Sequence, residues 1–199
     1  MFIQTEDTPN PLSMKFIADR AVLGQDASGR PALGRDFPNA ATAAASPLAM
    51  TLFDIDGVSG VFLGHDFVTV TKADGVNWAH VKPAILGAIA DFLTAGIPVI
   101  DDAAAPVRKS ATSVDEYEGD DREIVEQIIE LIDTRVRPAV AADGGDIAFQ
   151  HWEPRTGVVF VSLHGSCSGC PSSTMTLKAG IENMLKHYLP EISKVEAVA

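Results

Sequence analysis

The chain has two cysteines, Cys167 and Cys170, separated by two residues in the stretch GSCSGCPSSTMTLKAG (165–180). Thiolates are nucleophiles and soft metal ligands, so this spacing opens three chemistries. It could cycle between dithiol and disulfide. It could supply half of a tetrahedral zinc site, with His151 and His164 on neighbouring predicted strands as the remaining ligands. It could also supply half of an iron–sulfur site, because such clusters usually take four thiolates. One chain offers two, and a second copy placed on a two-fold axis would offer the other two. A cluster held only at such a junction is easily released, which suits delivery better than electron transfer.

The flanking residues activate the pair. Pro171 suits the first position of a helix, which makes Cys170 a candidate N-cap facing unpaired backbone N–H groups and the positive end of the helix dipole. Both favour thiolate over thiol. Gly165 and Gly169 remove side chains near the sulfurs, and Ser166, Ser168, Ser172 and Ser173 supply hydroxyl donors. A dithiol oxidoreductase fits less well. The predicted elements lack a βαβ start, and the proline follows the pair instead of dividing it.

The elements that must position this segment can be read from periodicity. In the second half, residues 121–142 carry Ile124, Ile128, Leu131 and Ile132 at helical spacing, with Pro138 bending or ending the run. The DGGD stretch (143–146) supplies a sharp reversal into a strand. IAFQHW and GVVFVSLHG then alternate as a hairpin joined by EPRT. A helix after the cysteines carries Leu177, Ile181, Met184, Leu185 and Tyr188, Pro190 closes it, and KVEAVA forms a last strand. The order is helix, strand, strand, helix, strand, with the helices on one sheet face.

In the first half, MFIQTEDTP and SMKFIAD are predicted extended, separated by the kinked TPNP. Residues 24–45 read as loop and then helix-permissive. Ser46 and Pro47 start a helix as N-cap and first residue. VSGVFLGHDFVTVTKA reads as two strands turned at Gly64 to Asp66, and NWAHVKPAILGAIADFLTAG as a helix with Val81, Ile85, Ile89 and Phe92 on one face, stopped by Gly96. Between the halves, PVIDDAAAPVRKSATSVDEYEGDD (98–121) breaks every hydrophobic period. Structureless loops beyond about 12–15 residues are uncommon inside a compact domain. The fold class is therefore α+β, in two small domains: residues 1–97, a linker over 98–119, and residues 120–199.

The net charge is −12, spread over both halves. That disfavours a nucleic-acid partner, whose phosphates require a basic surface. No stretch reads as a membrane span, since the apolar run near residue 90 is broken by Asp91, Gly96 and Pro98. The N-terminus lacks a basic leader pattern, so the expected compartment is a bacterial cytoplasm, with a processed organellar form as the alternative.

The residues RPAVAADGGDIAF and VSLHGSCSGCPSSTMTLKAGIENMLKHYLPEI resemble the C-terminal domain of NifU-like (Nfu-type) iron–sulfur cluster scaffold and carrier proteins. The pattern GxCxxCPSSxxTLKxGIE is far more specific than a bare CxxC. TPNPLSMKF, SPLAMTLF, GVFLGHDFVTVTK, Trp78 and FLTAG resemble that family's N-terminal domain. The resemblance implies a non-enzymatic role, with Cys167 and Cys170 binding a cluster, [4Fe–4S] in preference to [2Fe–2S]. The cluster would bridge a homodimer and pass to apo iron–sulfur proteins, among other cluster-assembly partners. The further cysteine-rich domains of the long nitrogen-fixation form have no counterpart in this chain.

Other motifs read as structural. Asp143 and Asp146 are expected in a turn, not in a metal site, and Trp152, Met175 and Met184 in the core. Arg135 and Arg137 are expected to satisfy carbonyls or acids, and Lys178 could offset a cluster's negative charge. No Ser/His/Asp set or phosphate loop is present.

Overall fold

A computed structural model describes residues 1–25, 32–101, 114–166 and 171–198, with 171–174 described by backbone alone. Two hydrophobic cores are present, one built from residues Met14 to Leu93 and one from Tyr117 to Val195.

The first unit is an antiparallel sheet in the order β1-β2-β5-β4-β3, from β1 (Ile3–Asp7), β2 (Ser13–Ala18), β3 (Arg35–Phe37), β4 (Val58–Leu63) and β5 (Phe67–Lys72). Two helices cover one face: α1 (Pro47–Phe53) and α2 (Trp78–Ala95). Ser46 caps α1 as its sequence predicts, accepting the Ala49 N–H at 3.1 Å, and Gly96 ends α2 at φ 67°. Val81, Ile85, Ile89 and Phe92 are buried against Met14, Phe16, Val68 and Val70 of the sheet. β3 lies within residues 24–45, expected as loop and then helix-permissive. Its three residues Arg35–Phe37 are too short and polar to show a period, and pairing with Val61–Leu63 defines them.

The opposite face of this sheet is also covered. Ser13 (3% exposed), Lys15 (8%) and Thr69 (1%) alternate with the core residues of β2 and β5, yet all are buried. Alternation of polar and apolar residues ordinarily marks a sheet wet on one side. Here the second unit lies against the polar side.

The second unit has α3 (Asp120–Leu131), a five-residue π-turn (Ile132–Val136) and α4 (Arg137–Ala142). These precede β6 (Gly145–Glu153), β7 (Val158–Gly165), α5 (Pro171–Tyr188) and β8 (Lys194–Val198). β6 and β7 are antiparallel, while β8 returns parallel to β7 after the α5 crossover. The predicted single helix is thus interrupted before Pro138. Val125, Ile128, Ile132, Val136 and Val140 face the core, whereas Ile124 and Leu131 are only partly buried. From Ile128 on, the buried residues recur every fourth position, ahead of an α-helix's 3.6 residues per turn. The wider π-turn absorbs the excess and keeps them on one stripe. It also bonds the Arg137 N–H to the Ile132 carbonyl, five residues back, just before proline removes a donor.

Two expected core residues are outside. Met175 is 73% exposed and Tyr188 is 47% exposed. Among the described residues of α5, Ile181 and Leu185 supply the buried stripe, and Tyr188 instead lies 5.5 Å beneath the Arg135 guanidinium. The segment expected as a linker packs at both ends. Val99 and Ile100 lie on the first core, the Ser46 hydroxyl donates to the Val99 carbonyl at 2.6 Å, and Tyr117 is buried in the second core. Residues 102–113 of that segment lie outside the described residues.

Candidate functional site

Cys167 and Cys170 lie outside the described residues, as do Ser168 and Gly169 between them. The elements on either side are described. β7 delivers the chain to Gly165 and Ser166, and α5 begins at Pro171 as expected.

The upstream anchor is the DGGD turn. Gly144 has φ 81° and Gly165 has φ 71°, a region that costs an L side chain. A Cβ on Gly165 would lie 2.7 Å from the Gly144 oxygen and 2.9 Å from Gly145 Cα, so the two backbones meet directly. Ser166 fastens the contact. Its N–H donates to the Gly144 carbonyl at 3.3 Å, and its hydroxyl donates to the Asp143 carbonyl. The glycines of DGGD therefore form the floor under the residue that precedes Cys167.

Asp146 holds this floor in place. It is 8% exposed, and its carboxylate accepts the Ile147 N–H at 2.8 Å and Arg137 Nε at 3.1 Å. Arg137 also pairs with Asp133 in the π-turn at 2.9 Å and donates to the Ile147 carbonyl at 3.3 Å. Asp146 and Arg137 thus have the structural roles their positions suggested. Among the described residues, no group of three or more His, Cys, Asp or Glu side chains could hold a metal.

The first unit reaches the same floor. Gly34 N–H donates to the second carboxylate oxygen of Asp146 at 2.8 Å. The Thr69 hydroxyl donates to the Gly144 carbonyl at 2.7 Å, and Lys15 Nζ donates to the Ala142 carbonyl at 3.4 Å. The Phe62 ring closes on Gly165, 3.0 Å from where a Cβ would stand. The Gly144 oxygen accepts from both units, from Ser166 and from Thr69, which uses both of its lone pairs. No sequence pattern pointed to Thr69, Lys15 or Gly34, because each acts on a backbone atom or a buried acid far along the chain, 75, 127 and 112 residues away respectively.

The zinc candidates have other partners. His151 Nδ1 lies 2.9 Å from the Tyr117 hydroxyl, and His164 Nε2 lies 3.0 Å from the Ser162 hydroxyl, with Asp36 at 3.9 Å. His164 stands opposite Asp146 and His151 opposite Phe160, so they are well separated along the hairpin. Lys178 contributes to holding the Glu182 and Glu196 carboxyls below the ordinary glutamate range, after the larger effects of Lys186 and Lys194.

Comparison with known proteins follows the same division. A model described as the scaffold protein Nfu/NifU N terminal matches residues 3–96, and one described as the NifU-like domain matches residues 128–196. NifU-like protein 5, mitochondrial, of Arabidopsis thaliana is 47% identical over 196 residues, covering 98% of this chain and 67% of that one. The chain belongs to the Nfu/NifU scaffold family. The NFU1 iron-sulfur cluster scaffold homolog, mitochondrial, of Drosophila sechellia is 48% identical over 198 residues, covering 100% of this chain and 65% of that one. This Nfu/NifU chain therefore spans about 65% of the length of the first curated relatives it matches. A solution NMR structure of a NifU-like protein from Saccharomyces cerevisiae aligns over 51% of this chain and 86% of that one, at 27% identity and a TM-score of 0.45.

The names of these relatives overturn the bacterial-cytoplasmic placement expected from the sequence, since they are mitochondrial. Net charge and the character of the first residues do not fix a compartment, because addresses are read by receptors and not by the fold.

Proposed function

We propose that this Nfu/NifU chain is a scaffold and carrier for an iron–sulfur cluster, held as cargo and not as a resident group. The thiolates of Cys167 and Cys170, with the same pair from a second copy, supply the four ligands, and [4Fe–4S] is the preferred cargo. Residues 120–199 hold the cluster, residues 1–97 form a second module with its own core, and residues 98–119 connect them. The observation that carries the reading is the lone CxxC before Pro171, at the head of the 18-residue helix α5, with Ser166 fixed to the DGGD floor immediately upstream.

Delivery requires no redox step. A thiolate of an apo iron–sulfur protein attacks an iron, an iron–sulfur bond to Cys167 or Cys170 breaks, and the departing sulfur leaves as thiolate and takes a proton from water. Four such exchanges move the cluster with its electron count unchanged. The helix N-terminus at Pro171 lowers the cost of the negative charge on each departing thiolate.

Anaerobic reconstitution of the full chain with iron and sulfide tests the reading. The expected result is a broad visible absorption band, about four iron per dimer, and a shift from monomer to dimer on size-exclusion chromatography. Cys167→Ser and Cys170→Ser each abolish the band and leave the circular dichroism unchanged. A colourless monomer that instead cycles a Cys167–Cys170 disulfide would refute the reading in favour of a dithiol oxidoreductase.

A further inference from the structure

We infer that the first unit braces the DGGD floor, and that Thr69 is a positioning residue that holds Ser166, the residue just before the cysteine segment. The inference rests on the cluster reading only for its functional consequence. The contact itself involves described residues alone.

Three donors of the first unit converge on the short stretch 142–146. Thr69 donates to the Gly144 carbonyl at 2.7 Å, Lys15 to the Ala142 carbonyl at 3.4 Å and Gly34 to the Asp146 carboxylate at 2.8 Å. The same stretch accepts both bonds of Ser166, at Gly144 and at Asp143. Thr69 and Ser166 therefore share one acceptor atom. A hydroxyl on β5 and the backbone one residue before Cys167 are two bonds apart through the Gly144 oxygen. Gly144 allows the approach, since a Cβ there would stand 2.9 Å from Thr69 Oγ1.

The chemistry of the face supports a built contact over incidental packing. A sheet face left to bury apolar surface would carry valine or isoleucine at 13, 15, 69 and 71. It carries Ser13, Lys15, Thr69 and Thr71, and each is bonded. Ser13 Oγ and Thr71 Oγ1 are 2.8 Å apart, and Lys15 Nζ stands 4.7 Å over the Phe67 ring. Burying such groups is favourable only when their bonds are made. The docked second unit supplies the acceptor for Thr69, while Lys15 is shared between the Ala142 carbonyl and the Glu6 carboxylate at 3.9 Å.

Loss of the Thr69 bond frees the DGGD floor and, through it, Ser166. Amide exchange in the peptide 165–175 of the apo protein then rises by about two- to thirteenfold, the range that follows from one net hydrogen bond. Cluster release to a chelator accelerates by a similar factor. The floor around 143–146 exchanges faster as well, while the α2 stretch 85–93 does not change.

The test is hydrogen–deuterium exchange on the full chain as wild type, Thr69→Val and Thr69→Ser, with chelator-driven bleaching of the reconstituted protein alongside. Thr69→Val keeps the shape and removes the donor, and Thr69→Ser restores the donor and the wild-type rates. Lys15→Met removes the neighbouring donor and repeats the measurement should Thr69→Val fail to fold. Wild-type exchange at 165–175 in Thr69→Val overturns the inference. So does a uniform rise that includes 85–93, or a failure of Thr69→Ser to rescue, since either marks a general packing defect. If the wild type takes up no cluster, the cluster reading fails and the exchange arm still decides the positioning role.

Discussion

Asp146→Ala is the sharpest perturbation of the site's framework. The substitution strips the acceptor from the Ile147 and Gly34 N–H groups and from Arg137, all within 3.1 Å of a carboxylate that is 8% exposed. Breaking a buried ion pair by removing one partner costs about 3–5 kcal/mol. Arg137 keeps Asp133 at 2.9 Å, which holds the cost near the lower end, at about 3 kcal/mol. Asp146→Asn keeps one oxygen acceptor and loses the charge, for about half that cost. Urea unfolding followed by Trp152 emission in a Trp78→Phe background reads the second unit, because Trp152 is buried in its core. With a slope of about 1–3 kcal/mol per molar urea, the midpoint falls by about 1–3 M in Asp146→Ala. A loss below about 1 kcal/mol would show that the carboxylate is a bystander, and the account of the DGGD floor would fall with it.

Further expectations follow from individual contacts. Gly165→Ala costs at least about 2 kcal/mol in thermal or urea unfolding, since its Cβ would press on the Gly144 oxygen at 2.7 Å with φ at 71°. Tyr117→Phe costs about 1–3 kcal/mol, because the hydroxyl both donates to the Trp152 carbonyl and accepts its N–H, each at 2.9 Å, and both become buried orphans. The Glu182 carboxyl is held below its ordinary pKa by Lys186 at 2.6 Å and then by the Val195 N–H at 3.1 Å. Its stabilisation is therefore full above the ordinary value and lost as pH falls through the lowered one. Glu182→Gln lowers Tm at pH 7, and the difference from wild type narrows as pH falls below the ordinary glutamate range. Met175→Ala changes the stability of the apo protein by less than about 0.5 kcal/mol, as befits a side chain 73% exposed.

Much of the framework was legible because it is local. Ser46 with Pro47, Gly96, and the Val81–Ile85–Ile89 stripe each state their structure within one or two turns, and each forms as read. The second unit's element order followed in the same way from period changes and from the glycines of DGGD. What stayed hidden is non-local. β3 exists only as the partner of β4, and the burial of Ser13, Lys15 and Thr69 depends on a second unit arriving on the polar face. The π-turn was concealed because a four-residue repeat looks helical until the rotation per step is counted. Met175 misled for a simpler reason: it lies two residues before Leu177, about 200° around the helix from the face on which Leu177, Ile181 and Leu185 meet the core. The cysteine pair stands out in the sequence through its spacing and the proline and serines around it, but Cys167 and Cys170 lie outside the described residues, so their role rests on the proposal alone.

The junction between the two units has a consequence for how the two halves can change over time. Its decisive atoms are mostly main-chain: the oxygens of Gly144 and Ala142 and the nitrogen of Gly34. A main-chain oxygen is present whatever residue carries it. Each half can therefore accumulate substitutions over most of its surface without a matching change in the other. The halves should drift almost independently, tethered at Thr69, Asp146 and the glycines that let the backbones touch.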